Sequence, residues 1–199
     1  SLNLTTYKNE ILKISNNTNY FSQERRRGED DIIRNQVGEA VSSFFGYRIE
    51  GFWDDEAEID AADAKAPGGL YQNGAGVGRF RYADINGDAQ VTPDDRTILG
   101  NPNPDFTYGL NLGLEYKNFD FNAFFYGSQG NEIWNQVRWW TDFYPSGGGG
   151  AKSYTALYES WTPDNKNARV AIQESASSFS TSGVPNSYFV ENGSFFKLK

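Results

Sequence analysis

FTYGLNLGLEY, residues 106–116, then KN, then FDFNAFFYG, residues 119–127, is the stretch on which the fold turns. Phe106, Tyr108, Leu110, Leu112, Leu114 and Tyr116 fall at every second position, with Thr107, Gly109, Asn111, Gly113 and Glu115 between them. Successive side chains of a β-strand point to opposite faces, so this period predicts one apolar face and one small, polar face. After Lys117-Asn118 the apolar set resumes as Phe119, Phe121, Ala123 and Phe125, opposite Asp120, Asn122, Phe124 and Tyr126. A two-residue turn at Lys117-Asn118 pairs Tyr116 with Phe119, Leu114 with Phe121 and Leu112 with Ala123. The same register sets Glu115 against Asp120, a like-charge pair whose cost is small at a wet rim. The first strand has 11 residues, within the ~9–11 that a tilted strand needs to cross a bilayer. Lipid on one face and a wet lumen on the other explains the pattern. An antiparallel sheet with one solvated face explains it equally well.

Outward from this hairpin the signals weaken. Ser1 to Ser15 alternates loosely, Asn16 to Asn19 is a turn cluster, and Gln23 to Asp31 is a solvated charge run in which acids cancel Arg25, Arg26 and Arg27. From Val41 the alternation sharpens, with Val41, Phe45, Tyr47, Ile49 and Trp53 on one face and Ser42, Arg48 and Glu50 on the other. Asp54 to Arg79 keeps no consistent period of 2 or 3.6 and reads as loop. Residues 128–190 form a second long polar segment, with a glycine run at Gly147 to Gly150 and a Ser/Thr-rich stretch at Ser175 to Ser182. Asn192-Gly193 is a turn signal, after which Phe196 and Leu198 open a new alternation.

Composition narrows the function classes. The 199 residues include no cysteine and no histidine, which excludes disulfide frameworks, thiol nucleophiles and imidazole-based triads or zinc sites. The absence of methionine leads to the expectation that the chain is a portion of a longer product. Lys and Arg total 18 against 26 Asp and Glu, a net charge of −8 that disfavours nucleic acid as a partner. Aromatic content of 16% with 21 glycines fits a β-rich, loop-rich protein. No run of apolar residues is long enough for a membrane helix, a test that transmembrane strands escape.

Two constellations invite a chemical reading. DINGDAQVTPDD, residues 84–95, has the spacing of a twelve-position calcium loop. Asp84, Asn86 and Asp88 occupy positions 1, 3 and 5, Gln90 offers its carbonyl at position 7, and Asp95 stands at position 12. The Asp at position 12 resembles the loop of dockerin modules. Position 6 is Ala89 where glycine is expected, so a left-handed turn there is strained. Ca²⁺ is the cation these oxygens suit, and a polar turn held by Asx hydrogen bonds is the alternative. Trp134, Trp139 and Trp140, beside Arg138 and Asp142, form a candidate ligand surface; packing or an interfacial aromatic girdle explains them too. Asp54, Asp55, Glu56, Glu58 and Asp60 supply many carboxylates but no discriminating glycosidase pair. Gly74, Gly76 and Gly78 lack the frame of a phosphate-binding loop.

Several segments together resemble one family. Residues 45–52, FGYRIEGF, look like its FYGYxxDGIF-type segment. Residues 82–104, YADINGDAQVTPDDRTILGNPNP, look like its DxNGDGxIxxxDRxxxGxxxP block, and 188–199, YFVENGSFFKLK, like its YVEDGSYLRLK segment. This is the SusC/RagA group of TonB-dependent outer-membrane transporters. The resemblance implies an all-β fold, here a portion of an antiparallel transmembrane β-barrel of about 22 strands, without the plug domain. It implies a periplasmic turn at Lys117-Asn118 and extracellular loops at 54–103 and 128–186 around the transmembrane hairpin 106–127. It also implies glycan or peptide import with a SusD-like surface lipoprotein and the TonB–ExbB–ExbD complex, in outer-membrane lipid, and no enzymatic activity. The rival readings are a soluble, secreted calcium-dependent carbohydrate-binding β-module and a secreted glycan-active enzyme.

Overall fold

A computed structural model describes residues 1–15, 18–22, 31–143 and 150–199. Residues 16–17 of the expected turn cluster, 23–30 of the charge run and 147–149 of the glycine run lie outside the described residues. The chain runs through β1 (Leu2–Thr6), β2 (Tyr20–Ser22), β3 (Ile33–Gln36), β4 (Ser43–Gly46), β5 (Ile49–Phe52) and α1 (Glu56–Asp63). It continues with β6 (Phe80–Tyr82), β7 (Thr97–Gly100), β8 (Phe106–Tyr116), β9 (Phe119–Gln129), β10 (Glu132–Trp134), α2 (Val137–Thr141) and α3 (Tyr154–Tyr158). β11 (Val190–Asn192) and β12 (Phe195–Leu198) end it. Short 3₁₀ turns occupy Pro93–Asp95 and Ser187–Phe189.

The β8–β9 hairpin has the expected register, with Tyr116 on Phe119, Leu114 on Phe121, Leu112 on Ala123 and Glu115 on Asp120. Lys117 carries the turn with φ 55°, the positive φ that a two-residue hairpin turn needs to match strand twist. β1 adds to the β8 edge and β12 to the β9 edge, giving an antiparallel sheet in the order β1-β8-β9-β12. Leu2 pairs with Leu110 and Leu4 with Tyr108, while Phe196 pairs with Gly127 and Leu198 with Phe125. Cross-strand partners share a face, so one side of all four strands is apolar. Phe196 stacks on Tyr108 at 5.7 Å and on Phe125 at 5.3 Å, and Gly127 leaves the space that the Tyr108 ring fills. The opposite face carries Asn3, Thr5, Asn111, Asn122 and Lys197.

Nothing described covers the far end of that apolar face. Leu114 is 67% exposed and Phe119 76%. In water each such side chain forgoes about 1.5–3 kcal/mol of burial, whereas lipid supplies it. Among the described residues no helix is long and apolar enough to cross a membrane, a statement that leaves strands untouched.

At the end opposite the Lys117-Asn118 turn, the two long polar segments fold together into a lobe. Its core is Tyr47, Phe80, Tyr82, Val91, Phe143, Val170, Ala171, Val184 and Phe189. Distant backbone joins it: Phe80 N–H donates to Ser180 at 2.8 Å, and Ile172 N–H to Gly78 at 2.8 Å. Three expectations are corrected here. Residues 54–79 hold a helix, α1, where loop was expected. Its start is set by Asp55, which accepts from Glu58 N–H at 3.0 Å, while Glu58 accepts from Asp54 N–H at 3.2 Å. The alternation from Val41 also fails in part, since Ser43, Phe44 and Phe45 of β4 are all buried and Val41 is exposed. β4 lies between β3 and β7 and is covered on both faces, which suppresses alternation. The segment 128–190, read as polar, contributes β10, α2 and α3 as well as five members of the core.

Candidate functional site

The residues singled out by sequence all fall at the lobe end. In the Asp84–Asp95 turn the side chains close on the backbone. Asp84 accepts from the N–H groups of Gly87 at 2.7 Å, Asp88 at 3.2 Å and Ala89 at 2.8 Å. Asn86 accepts from Asp88 N–H at 2.9 Å and donates its amide to Asp88 at 3.1 Å. Gln90 enters through its own N–H, given to Asp88 at 2.9 Å. Ala89 sits at φ 64°, the left-handed conformation that its place in the turn demanded.

Asp95 is fully buried. One of its oxygens takes the N–H groups of Ile85 at 2.8 Å and Asn86 at 3.3 Å, and the other takes Thr92 N–H at 2.7 Å. It therefore ties the two ends of the turn together, and with Thr92 it caps the 3₁₀ turn Pro93–Asp95. Among the described residues, no group of three or more His, Cys, Asp or Glu side chains converges as a metal centre. The carboxylates that the spacing assigned to a cation are, in this arrangement, hydrogen-bond acceptors for amides.

The three tryptophans separate. Trp134, at the end of β10, packs on Phe189 at 5.4 Å and on Phe44 at 6.0 Å, with its indole N–H on Gln136 at 2.9 Å. Trp139, on α2, stacks on Phe189 at 5.4 Å. Trp140 is 53% exposed. Their polar neighbours are engaged inside the lobe. Arg138 pairs with Glu191 at 2.6 Å and donates to the Tyr188 carbonyl at 2.8 Å. Asp142 accepts from the Tyr188 hydroxyl at 2.5 Å. Burial first, and then this bond to a carboxylate, holds the Tyr188 phenol well above the ordinary tyrosine range.

Two buried amides that sequence reasoning passed over organise the lobe. Gln72 gives its amide to the Phe80 carbonyl and the Ser180 hydroxyl, each at 2.7 Å, and takes Tyr82 N–H at 2.8 Å. Asn186 donates to the Tyr82 hydroxyl at 3.2 Å and to the carbonyls of Thr181 at 3.2 Å and Val184 at 3.1 Å. Burial raises the Tyr82 phenol far above its ordinary value, so it stays neutral and donates to the Phe179 carbonyl at 2.9 Å. Isolated polar residues in polar segments carry no sequence signal of such roles. Gly78 is a close-approach position, since a Cβ there would meet the Trp161 ring. Of the acids weighed as a catalytic pair, Asp55 and Glu58 cap α1, and Asp54 accepts from the Trp161 indole at 3.2 Å.

No protein-family model matches the chain. TonB-dependent receptor P26 of Formosa agariphila is 36% identical over 163 residues, covering 82% of this chain and 15% of that receptor. TonB-dependent receptor P3 of the same organism is 30% identical over 210 residues, covering the whole chain and 18% of that receptor. The chain thus spans less than a fifth of these relatives. Among solved structures, the RagAB peptide transporter superposes with a TM-score of 0.65 at 22% identity, over all of this chain and 19% of the other. The RagAB peptide importer in its open-open state gives 0.62 at 21% identity, with the same coverage. The likeness to these structures establishes a shared fold.

Proposed function

Since the chain belongs to the TonB-dependent receptors of the SusC/RagA group, we propose that it serves as a barrel-wall and outer-lobe portion of a nutrient importer in a Gram-negative outer membrane. The observation that carries this is the β1-β8-β9-β12 sheet, apolar on one face except at its lobe end (Thr6, Gln129) and mostly small or polar on the other, where Phe124, Tyr126 and Phe195 are the exceptions. That distribution suits a strand set between lipid and a wet lumen. A soluble module would bury the face against a second sheet, and none of the described strands covers it. Curated relatives of this chain are receptors, not enzymes.

The cargo would be oligosaccharide or peptide, the latter being what the RagAB structures are described as carrying. A SusD-like surface lipoprotein would complete the assembly on the lobe side, with TonB–ExbB–ExbD supplying energy from the periplasm. For the Asp84–Asp95 turn the proposal is that Ca²⁺ adds to a structure the amides already hold, and does not build it. Trp140, the exposed one of the three, is the tryptophan placed to meet cargo or lipoprotein.

Cell fractionation tests the reading. The polypeptide carrying this sequence should appear in the outer-membrane fraction and need detergent for extraction, and cells lacking it should lose TonB-dependent uptake of one nutrient. Recovery as a soluble 199-residue species would overturn the reading in favour of the calcium-dependent module.

A further inference from the structure

The dipeptide Asn-Gly occurs three times, at 73–74, 86–87 and 192–193. Glycine has no Cβ, so its nitrogen lies open to the side chain of the asparagine before it. For a ring to close between them, that nitrogen must be released from any hydrogen bond. The asparagine side chain must also be free to swing onto its own backbone.

Two of the three pairs are held shut. Asn86 accepts from Asp88 N–H at 2.9 Å and gives its amide to Asp88 at 3.1 Å, while Gly87 N–H is bound to Asp84 at 2.7 Å. Asn192 accepts from Ser194 N–H at 2.8 Å, and Gly193 N–H donates to the Asn131 carbonyl at 2.8 Å. Asn73 is different. Its side chain is exposed and makes no hydrogen bond among the described residues, and neither does the Gly74 N–H. The two stand at the corner of a turn closed by Ala75 N–H on the Gln72 carbonyl at 3.3 Å, with Gly74 at φ 66°.

The peptide link between Asn73 and Gly74 is also activated. Its carbonyl accepts from the Ser180 hydroxyl at 2.8 Å, and that hydroxyl accepts from the buried Gln72 amide at 2.7 Å. Hydrogen bonds in series polarise one another. A donor on the peptide oxygen draws charge from the nitrogen and makes its N–H more acidic. The Arg79 guanidinium, on the Gly74 carbonyl at 2.8 Å, adds positive charge beside the turn.

We propose that Asn73 is a site of spontaneous covalent modification, with water as the only co-reactant. The Gly74 nitrogen gives its proton to solvent and bonds to Asn73 Cγ. The Cγ–Nδ2 bond breaks, and ammonia leaves with a proton from solvent. Water then opens the cyclic imide. Cleavage at Cγ leaves an aspartate in a normal backbone. Cleavage at the original carbonyl carbon leaves an isoaspartate, whose main chain runs through Cβ and Cγ and is one atom longer. That atom falls between two anchored residues: Gln72 holds Ser180, and Gly74 is held by Arg79, which pairs with Glu174 at 2.7 Å. The isoaspartate form therefore loosens segment 72–80 from segment 174–181.

The test is peptide mapping by mass spectrometry of the full receptor, kept folded at mildly alkaline pH, beside the same receptor unfolded in urea. Each conversion replaces an amide NH₂ by OH, and chromatography separates aspartate from isoaspartate. In urea the three pairs should convert at similar rates. In the folded receptor Asn73 should convert at least about tenfold faster than Asn86 and Asn192, whose two hydrogen bonds must break first. Equal rates at the three folded sites, or no conversion at Asn73, would overturn the inference. Ser180→Ala should slow conversion severalfold. If Ser180 merely tied the turn down, its loss would speed conversion, and the activation would be overturned. Hydrogen exchange scores the consequence: amides of 72–80 and 174–181 should exchange faster in aged receptor. Asn73→Gln, aged in parallel, should show neither change. Asn73→Asp, which carries the charge without the longer chain, should keep the original exchange. Loosening in that variant, or none after conversion, overturns the effect assigned to the extra backbone atom.

Discussion

Ala89 holds a left-handed backbone at φ 64° in a turn where its N–H must reach Asp84. An L-residue with a Cβ pays about 1 kcal/mol for that conformation, and glycine does not. Ala89→Gly should therefore slow hydrogen exchange of the Asp84–Asp95 amides about fivefold. Run with calcium and with a chelator, the measurement should give nearly the same protection, because Asp95 binds amides at both ends of the turn. Protection that collapses on chelation would show the cation to be the builder of the turn. The strain at Ala89 was legible, since the spacing marks position 6 as glycine's. The orientation of Asp95 was not, because one carboxylate at one spacing serves an ion or a set of amides equally well. Tyr82 carries a second prediction at this scale. Its folded phenol titrates above the unfolded value of about 10, so its contribution is fully present below pH ~10 and is lost as pH rises above it. The slope is about 1.4 kcal/mol per pH unit for one proton, with Tyr188 adding in the same direction. Tyr82→Phe should cost about 1 kcal/mol at neutral pH, from the Phe179 and Asn186 bonds it removes, and should shallow the alkaline loss seen by tryptophan fluorescence.

The hairpin and the helix mark the two extremes of what an element reveals of itself. In β8 and β9 the side-chain period, the two-residue turn and the apolar partnering agree, and one slip in register would reverse every face. Local pattern and fold gave the same answer there, and the pairing followed from the residues alone. Helix α1 buries little beyond Ile59, so it displays no apolar stripe. Its sole signal is Asp55 followed three residues on by Glu58, a capping pattern inside a run of acids that reads first as solvated loop. The two faces of β8 make opposite predictions. Leu112→Arg, near the middle of the strand on the apolar side, should destabilise the receptor by about 2–4 kcal/mol in a bilayer. Asn111→Arg, one residue away on the polar side, should change it by less than about 1 kcal/mol. The temperature at which the folded band is lost on unboiled gels compares the two directly. Equal losses would mean that both faces meet the same surroundings, and the membrane assignment would fail.

Across the molecule, the sheet and the lobe are built by different physics. The centre of the sheet is local, with β8 and β9 joined by a two-residue turn, although β1 and β12 reach it from distant parts of the chain. The lobe depends on contacts between segments far apart in sequence, such as Phe80 with Ser180 and Tyr82 with Phe179. No window along the chain contains both partners, so the two polar stretches looked like separate loops and their common core stayed hidden. Among the described residues the chain leaves β1 after Thr6, enters β8 at Phe106, leaves β9 after Gln129 and enters β12 at Phe195, all at the lobe end of the sheet. A barrel wall with one short turn and one elaborate end has a definite sense in the membrane: short turns face the periplasm and long connections the outside. The chain's lack of cysteine makes this sense measurable. In a receptor carrying no other reactive thiol, Leu157→Cys on the exposed face of α3 should react with a membrane-impermeant maleimide on intact cells. Lys117→Cys should react only after the outer membrane is permeabilised. The reverse pattern would invert the barrel and place the lobe in the periplasm. Labelling of both sites on intact cells would mean that the apolar face of β8 and β9 does not lie in a bilayer at all.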